Sequence, residues 1–171
     1  MNEELRLKKA HIALMKHKET ALYSGIILMG NNAVIDDDIT AYTDGVNKKY
    51  GRKFISKLTD EELRGLVLHE NLHVALKHMS RFKSEFKDNP TLINASADYV
   101  VNDVIVSLED KSLCKLPQGG LYDAKFHNWS VKQVYDYLKQ ENSERAKDDQ
   151  QSESDGQGNE QGKGKIGRAH V

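Results

Sequence analysis

Leu58-Thr59-Asp60-Glu61-Glu62-Leu63-Arg64-Gly65-Leu66-Val67-Leu68-His69-Glu70-Asn71-Leu72-His73 marks the start of a helix and carries a chemical motif at its centre. Thr59 and Glu62 have the spacing of a capping box, with Thr59 as N-cap and Glu62 reaching back from the third helical position. Leu58 and Leu63 stand where a hydrophobic staple would close over that cap. Asp60, Glu61 and Glu62 place negative charge in the first turn, and Lys77, His78 and Arg81 place positive charge near the end, as the helix dipole favours. Leu63, Leu66, Val67, Val74 and Leu76 supply the apolar faces. The spacing predicts a helix from about residue 60 to 80.

His69 and His73 are four residues apart, which separates them by about 40° around a helix, so both imidazoles can reach one ion. Glu70 lies between them, beside such an ion, where it can take a proton from bound water. The bland alternative is a pair of ordinary helix histidines, one of them paired with Glu70. A well-capped helix around the motif favours the metal. Gly65 sits one turn before His69 on the same face, and an interior glycine costs a helix about 1 kcal/mol relative to alanine. Either a neighbouring element approaches closely beside the metal, or the packing there is merely tight.

A second helix begins at Asp88-Asn89-Pro90, with proline at the first helical position. From Thr91 to Leu108 the segment is apolar nearly all round, which predicts burial. Asn94, Asp98 and Asn102 nevertheless form a polar stripe through it at intervals of four. A carboxylate in such surroundings has to be paired, hydrogen-bonded or metal-bound. Catalytic zinc sites commonly take three protein ligands, and two histidines with one carboxylate is such a set. Asp98 is therefore the expected third ligand, with a core carboxylate holding a histidine or an arginine such as Arg81 as the alternative. His78 lies nine residues from His69, about 180° around a continuous helix, and no glycine intervenes to break it. It is expected to support the site or the fold rather than to bind the ion.

These stretches, with Thr43-Asp44-Gly45, Gly119-Gly120-Leu121-Tyr122-Asp123, Phe126 and Ser130-Val131-Lys132-Gln133-Val134-Tyr135, carry a resemblance. Over nearly all of residues 1–138 the chain resembles the zincin-like metallopeptidase domain family of bacteria and phages, a domain often followed by a von Willebrand factor A-like domain. The resemblance implies a zincin-like fold, a zinc ion and peptidase activity. The resemblance also makes a C-terminal domain of that kind, missing from these residues, an expected partner.

The remaining residues bound the reading. A net charge of −1 gives no basic excess for nucleic acid. No apolar run approaches a membrane span, the N-terminus lacks the shape of a signal peptide, and the single cysteine, Cys114, allows no intrachain disulfide or cysteine cluster. These features point to the cytoplasm, away from membranes. Residues 2–22 read as a helix. Gly25 to Gly30, Ile39 to Thr43 and Lys53 to Ile55 read as three short strands, with a turn at Asp44-Gly45. Ser130 and Gln133 cap a last helix. From Lys139 the composition turns almost wholly polar, so residues 139–165 read as a disordered linker after a domain at 1–138. Ile166 to Val171 match one reading frame of a common sequencing adapter (ATC GGA AGA GCA CAC GTC), and are set aside as a scar together with His170.

The expected architecture is α+β and zincin-like: an active-site helix beside a small sheet, with a second buried helix supplying the third ligand. The expected function is hydrolysis of peptide or protein substrates by Zn²⁺ held on His69, His73 and Asp98, with Glu70 as general base. Tyr99, Tyr122 and His127 are candidates for stabilising the oxyanion. The rival readings are a zinc-binding module without turnover and a metal-free helical interaction domain, both acting within a larger assembly.

Overall fold

A computed structural model describes residues 2–154 of the chain, with side chains through Arg145. The fold is α+β. Helix α1 (Glu3–Lys16) is capped by Asn2, whose Oδ1 accepts from the Glu4 amide at 2.8 Å. It buries Leu7, Ala10 and Leu14 against helix α4 (Asp60–Ala75) and strand β1 (Asn32–Ile35). With β2 (Ala41–Thr43) and β3 (Lys48–Gly51), β1 forms a three-stranded sheet in the order β1-β3-β2. β1 runs parallel to β3, and β2 antiparallel.

The hairpin between β2 and β3 turns at the expected place. The Asp44 carboxylate accepts from the amides of Val46 and Asn47, and Gly45 takes a φ of 97° that favours glycine. Two other strand expectations fail. The apolar run between Gly25 and Gly30 holds a helical turn, α2 (Ser24–Ile27), and Lys53 to Ile55 lie in another, α3 (Arg52–Ile55). A short apolar run does not carry enough period to distinguish helix from strand. α2 also closes over an unusual group. Lys48 is fully buried, and its ammonium donates to the carbonyls of Ile26 at 3.0 Å and Met29 at 2.6 Å. Burial holds its pKa below the usual lysine value.

Helix α4 begins with the expected box: Glu62 N–H donates to Thr59 Oγ1, and Thr59 N–H to Glu62 Oε2. It stops at Ala75, short of the expected end. Lys77 adopts a left-handed conformation (φ 54°, ψ 38°), and a new turn, α5 (His78–Arg81), starts beyond it. After the short α6 (Lys83–Asp88), helix α7 (Pro90–Val106) starts at its proline, with Asn89 Oδ1 accepting from Leu92 N–H. α7 is largely buried and crosses α4.

One apolar cluster joins α1, α4, β3 and α7 through Leu7, Leu14, Tyr50, Leu63, Leu68, Leu72 and Val101. A second joins α7 to the last helix, α8 (Val131–Ser154), through Ile93, Ala97, Val131 and Tyr135. α8 runs past the boundary at 138 that composition suggests. Its continuation is rich in Glu, Lys, Gln and Arg, residues with high helix propensity, and the side chains of Gln140 and Glu144 bond one turn apart at 2.8 Å. Residues 155–171, with the rest of the expected linker and the adapter-like end, lie outside the described residues. Among the described residues no helix is long and apolar enough to cross a membrane.

Candidate metal centre

His69 and His73 occupy successive turns of α4, and Asp98 faces them from the middle of α7. The two Nε2 atoms lie 3.0 Å apart. Asp98 Oδ1 is 3.1 Å from His73 Nε2 and 3.5 Å from His69 Nε2. Among the described residues these three side chains are the group of His, Cys, Asp or Glu that could hold a metal ion.

The hydrogen bonds behind the rings match tautomers that leave both Nε2 atoms free. Asn102 Nδ2 donates to the Leu121 carbonyl at 2.7 Å, which leaves Asn102 Oδ1 to accept from His69 Nδ1 at 2.8 Å. His69 Nε2 is then a bare lone pair aimed at His73 and Asp98. His73 Nδ1 meets His78 Nδ1 at 2.9 Å. Burial, reinforced by His73 and Arg81, pushes the His78 imidazole down to about 3, so it is neutral and can accept the proton of His73 Nδ1. In the tautomer where His73 Nδ1 donates to His78, His73 Nε2 is bare as well. Two lone pairs and a carboxylate oxygen pointed at one another at contact distance repel unless a cation sits between them. Tetrahedral zinc with bonds of 2.0–2.1 Å spaces its ligand atoms about 3.3 Å apart. The three separations bracket that value, and the donor set suits zinc.

The electrostatics agree. Burial would raise the Asp98 carboxyl, but the two imidazoles that face it hold it well below the usual carboxylate range. Burial lowers His73, whereas at His69 the pull of Asp98 and Glu70 outweighs burial and raises the imidazole. Glu70 is itself buried, and that burial, with some help from Asp98 and opposed by His69, lifts its carboxyl to about 7. A carboxyl poised there can gain and lose a proton at neutral pH.

A cavity of about 440 Å³ opens onto this cluster. Glu70, His73, Asn94 and Asp98 line one side, and Ala41, Tyr42 and Thr43 of β2 line the other. The sequence-predicted residues His69, Glu70, His73 and Asp98 therefore meet in one place, with Asn94 and Asn102 beside Asp98 on its stripe. The alternative partner Arg81 instead lies against Phe82, 5.7 Å from the ring centre. The expectation that His78 faces the far side of the helix is corrected. The break at Lys77 folds His78 back behind His73, and a left-handed lysine gives no sequence signal of the kind glycine gives. Of the candidates for stabilising an oxyanion, Tyr99 packs on Phe126 and His127 is bonded to Asp103, while Tyr122 is exposed on the surface. None of the three lines the cavity. Tyr42 and Met79, which do, were missed, because a pocket wall built by β2 and α5 has no local pattern.

A family model described as a putative metallopeptidase domain matches residues 2–169. No curated protein matches the chain, and no solved structure does.

Proposed function

We propose that this chain, which belongs to that metallopeptidase-domain family, hydrolyses peptide bonds with a zinc-activated water. The observation that carries the reading is the convergence of three ligand atoms, His69 Nε2, His73 Nε2 and Asp98 Oδ1, with Glu70 lining the same cavity. The arrangement is zincin-like: a His-Glu-x-x-His helix beside a small sheet, with the third ligand on the next long helix.

Zinc, when bound, would acidify a coordinated water toward a pKa of about 7 and polarise the scissile carbonyl. Asn102 and His78 hold the two imidazoles in the tautomer that leaves Nε2 free. Glu70 accepts the proton of the attacking water and returns it to the leaving amine. β2 is an outer strand of the sheet and borders the cavity, so its free edge can take an extended peptide as an added strand. A peptide or protein substrate fits that geometry. The composition favours a cytoplasmic enzyme, and a von Willebrand factor A-like domain is the expected companion.

The test is Glu70→Gln in zinc-loaded protein. The amide is nearly isosteric but accepts no proton, so zinc content should hold while cleavage of an unstructured protein library falls by about 10²–10⁴-fold. Equal cleavage by the variant and the parent would refute the mechanism. A zinc-loaded parent that cleaves nothing would point to a zinc-binding module without turnover.

A further inference from the structure

A second cavity, of about 350 Å³, opens from the same cluster, lined by His69 and Asp98 but not by Glu70 or His73. It shares Thr40, Leu66, His69 and Asp98 with the first cavity, and its further walls are Phe54, Leu116, Pro117 and Leu121, with Asn102 and Gln118 as polar neighbours. We infer that it is the pocket for one uncharged, apolar side chain of the substrate, at the residue next to the cleaved bond. The inference rests on the peptidase reading above and adds a substrate class to it.

Three features support the assignment. The first is size: the volume lies at the low end of the roughly 300–1,000 Å³ of small-ligand sites, which suits a single side chain. The second is chemistry. The charged residues that line it are His69 and Asp98, which a bound metal would engage, so a substrate ammonium or carboxylate would be desolvated there without an ionic partner. The third is rigidity. The 115–121 wall is pinned at both ends. Lys115 N–H donates to the Glu61 carbonyl at 3.1 Å, and the Lys115 carbonyl lies against Gly65, where an added Cβ would be only 2.0 Å from it. At the other end Leu121 O accepts from Asn102, the residue that orients His69. The turn between them closes with Gly120 N–H on Pro117 O at 3.1 Å. A wall held this way is formed before substrate arrives, which lowers the ordering cost of binding.

The pocket can be read without turnover by titrating zinc-loaded protein with simple hydroxamates, which anchor on the metal. The hydroxamate of 4-methylpentanoic acid should bind at least tenfold more tightly than acetohydroxamate, and the monohydroxamate of succinic acid should gain nothing. Leu121 is 38% exposed, so Leu121→Asp is compatible with folding. It should erase the apolar preference and favour 6-aminohexanohydroxamate. In a peptide library the parent should cut where Leu, Ile, Met or Phe stands on one side of the bond. Equal affinities for the branched and methyl hydroxamates, or a preference untouched by Leu121→Asp, would overturn the inference. Apolar preference among hydroxamates with no peptide cleaved would support the pocket and sink the peptidase reading. Cleavage with no side-chain preference would sink the pocket alone.

Discussion

The Nδ1 atoms of His73 and His78 lie 2.9 Å apart, so one imidazole serves as the hydrogen-bond acceptor behind another. A neutral ring does the work that a carboxylate or a backbone carbonyl commonly does behind a metal-bound histidine. Replacing it should weaken the site without dismantling it. His78→Ala should lower zinc affinity by about tenfold, and Asp98→Ala should lower it further, because the second change removes a charged ligand. Competition against a chromogenic chelator orders the two variants, and the reverse order would show that His78, not Asp98, is the ligand.

Asn102 joins His69 to the Leu121 carbonyl. Asn102→Ala leaves the His69 Nδ1 proton and that carbonyl without their partner, so zinc affinity should drop by about 10–100-fold. Asn102→Asp keeps an acceptor for His69 but loses the donor to Leu121, and should retain more affinity than alanine. The same chelator competition distinguishes them, and indistinguishable variants would count against the orienting role.

Gly65→Ala tests the crossing of Lys115 over α4. In an open helix the change would stabilise by about 1 kcal/mol. Here the new methyl would lie 2.0 Å from the Lys115 carbonyl oxygen, and overpacking of this kind costs about 1–3 kcal/mol. The denaturation midpoint should therefore fall rather than rise. A variant more stable than the parent would mean that the 115–121 segment yields freely.

Acid should weaken the metal-free fold partly through His11. Its ring is buried, with Nδ1 donating to the Leu7 carbonyl at 2.7 Å, and burial lowers its pKa. The unfolded chain then binds the His11 proton at higher pH than the folded chain does. Stability is full above the unfolded value of about 6.5 and declines as pH falls through it. In chelator, His11→Gln should flatten the plot of stability against pH below 6.5, by at most about 1.4 kcal/mol per pH unit. An unchanged slope would place the acid sensitivity elsewhere.

The parts of the fold legible in the sequence are those written locally. The capping box at Thr59, the proline start of α7 and the intervals of four in His69/His73 and Asn94/Asp98/Asn102 are all short-range, and the structure brings the side chains they single out together. The sheet was harder to read because its strands have three or four residues, too few to establish an alternation. The end of α4 was misread because Lys77 enters the left-handed region without glycine's signature. Gly65 did signal close approach, but not by what. The answer is Lys115, fifty positions on, and no pattern along the chain connects the two. The second half of α8 shows the limit of composition, since a polar stretch of good helix formers continues a helix that a packed first half has already nucleated.

Lys48 has a use as a reporter. With its amine sealed under α2 and committed to two carbonyl oxygens, it is inaccessible to an acylating reagent while that lid stays shut. Lys53, nearby and 71% exposed at its side chain, supplies the unprotected reference. The ratio of labelling rates at the two lysines measures how often α2 lifts from the sheet. It offers a clock for local opening that can be run with and without zinc.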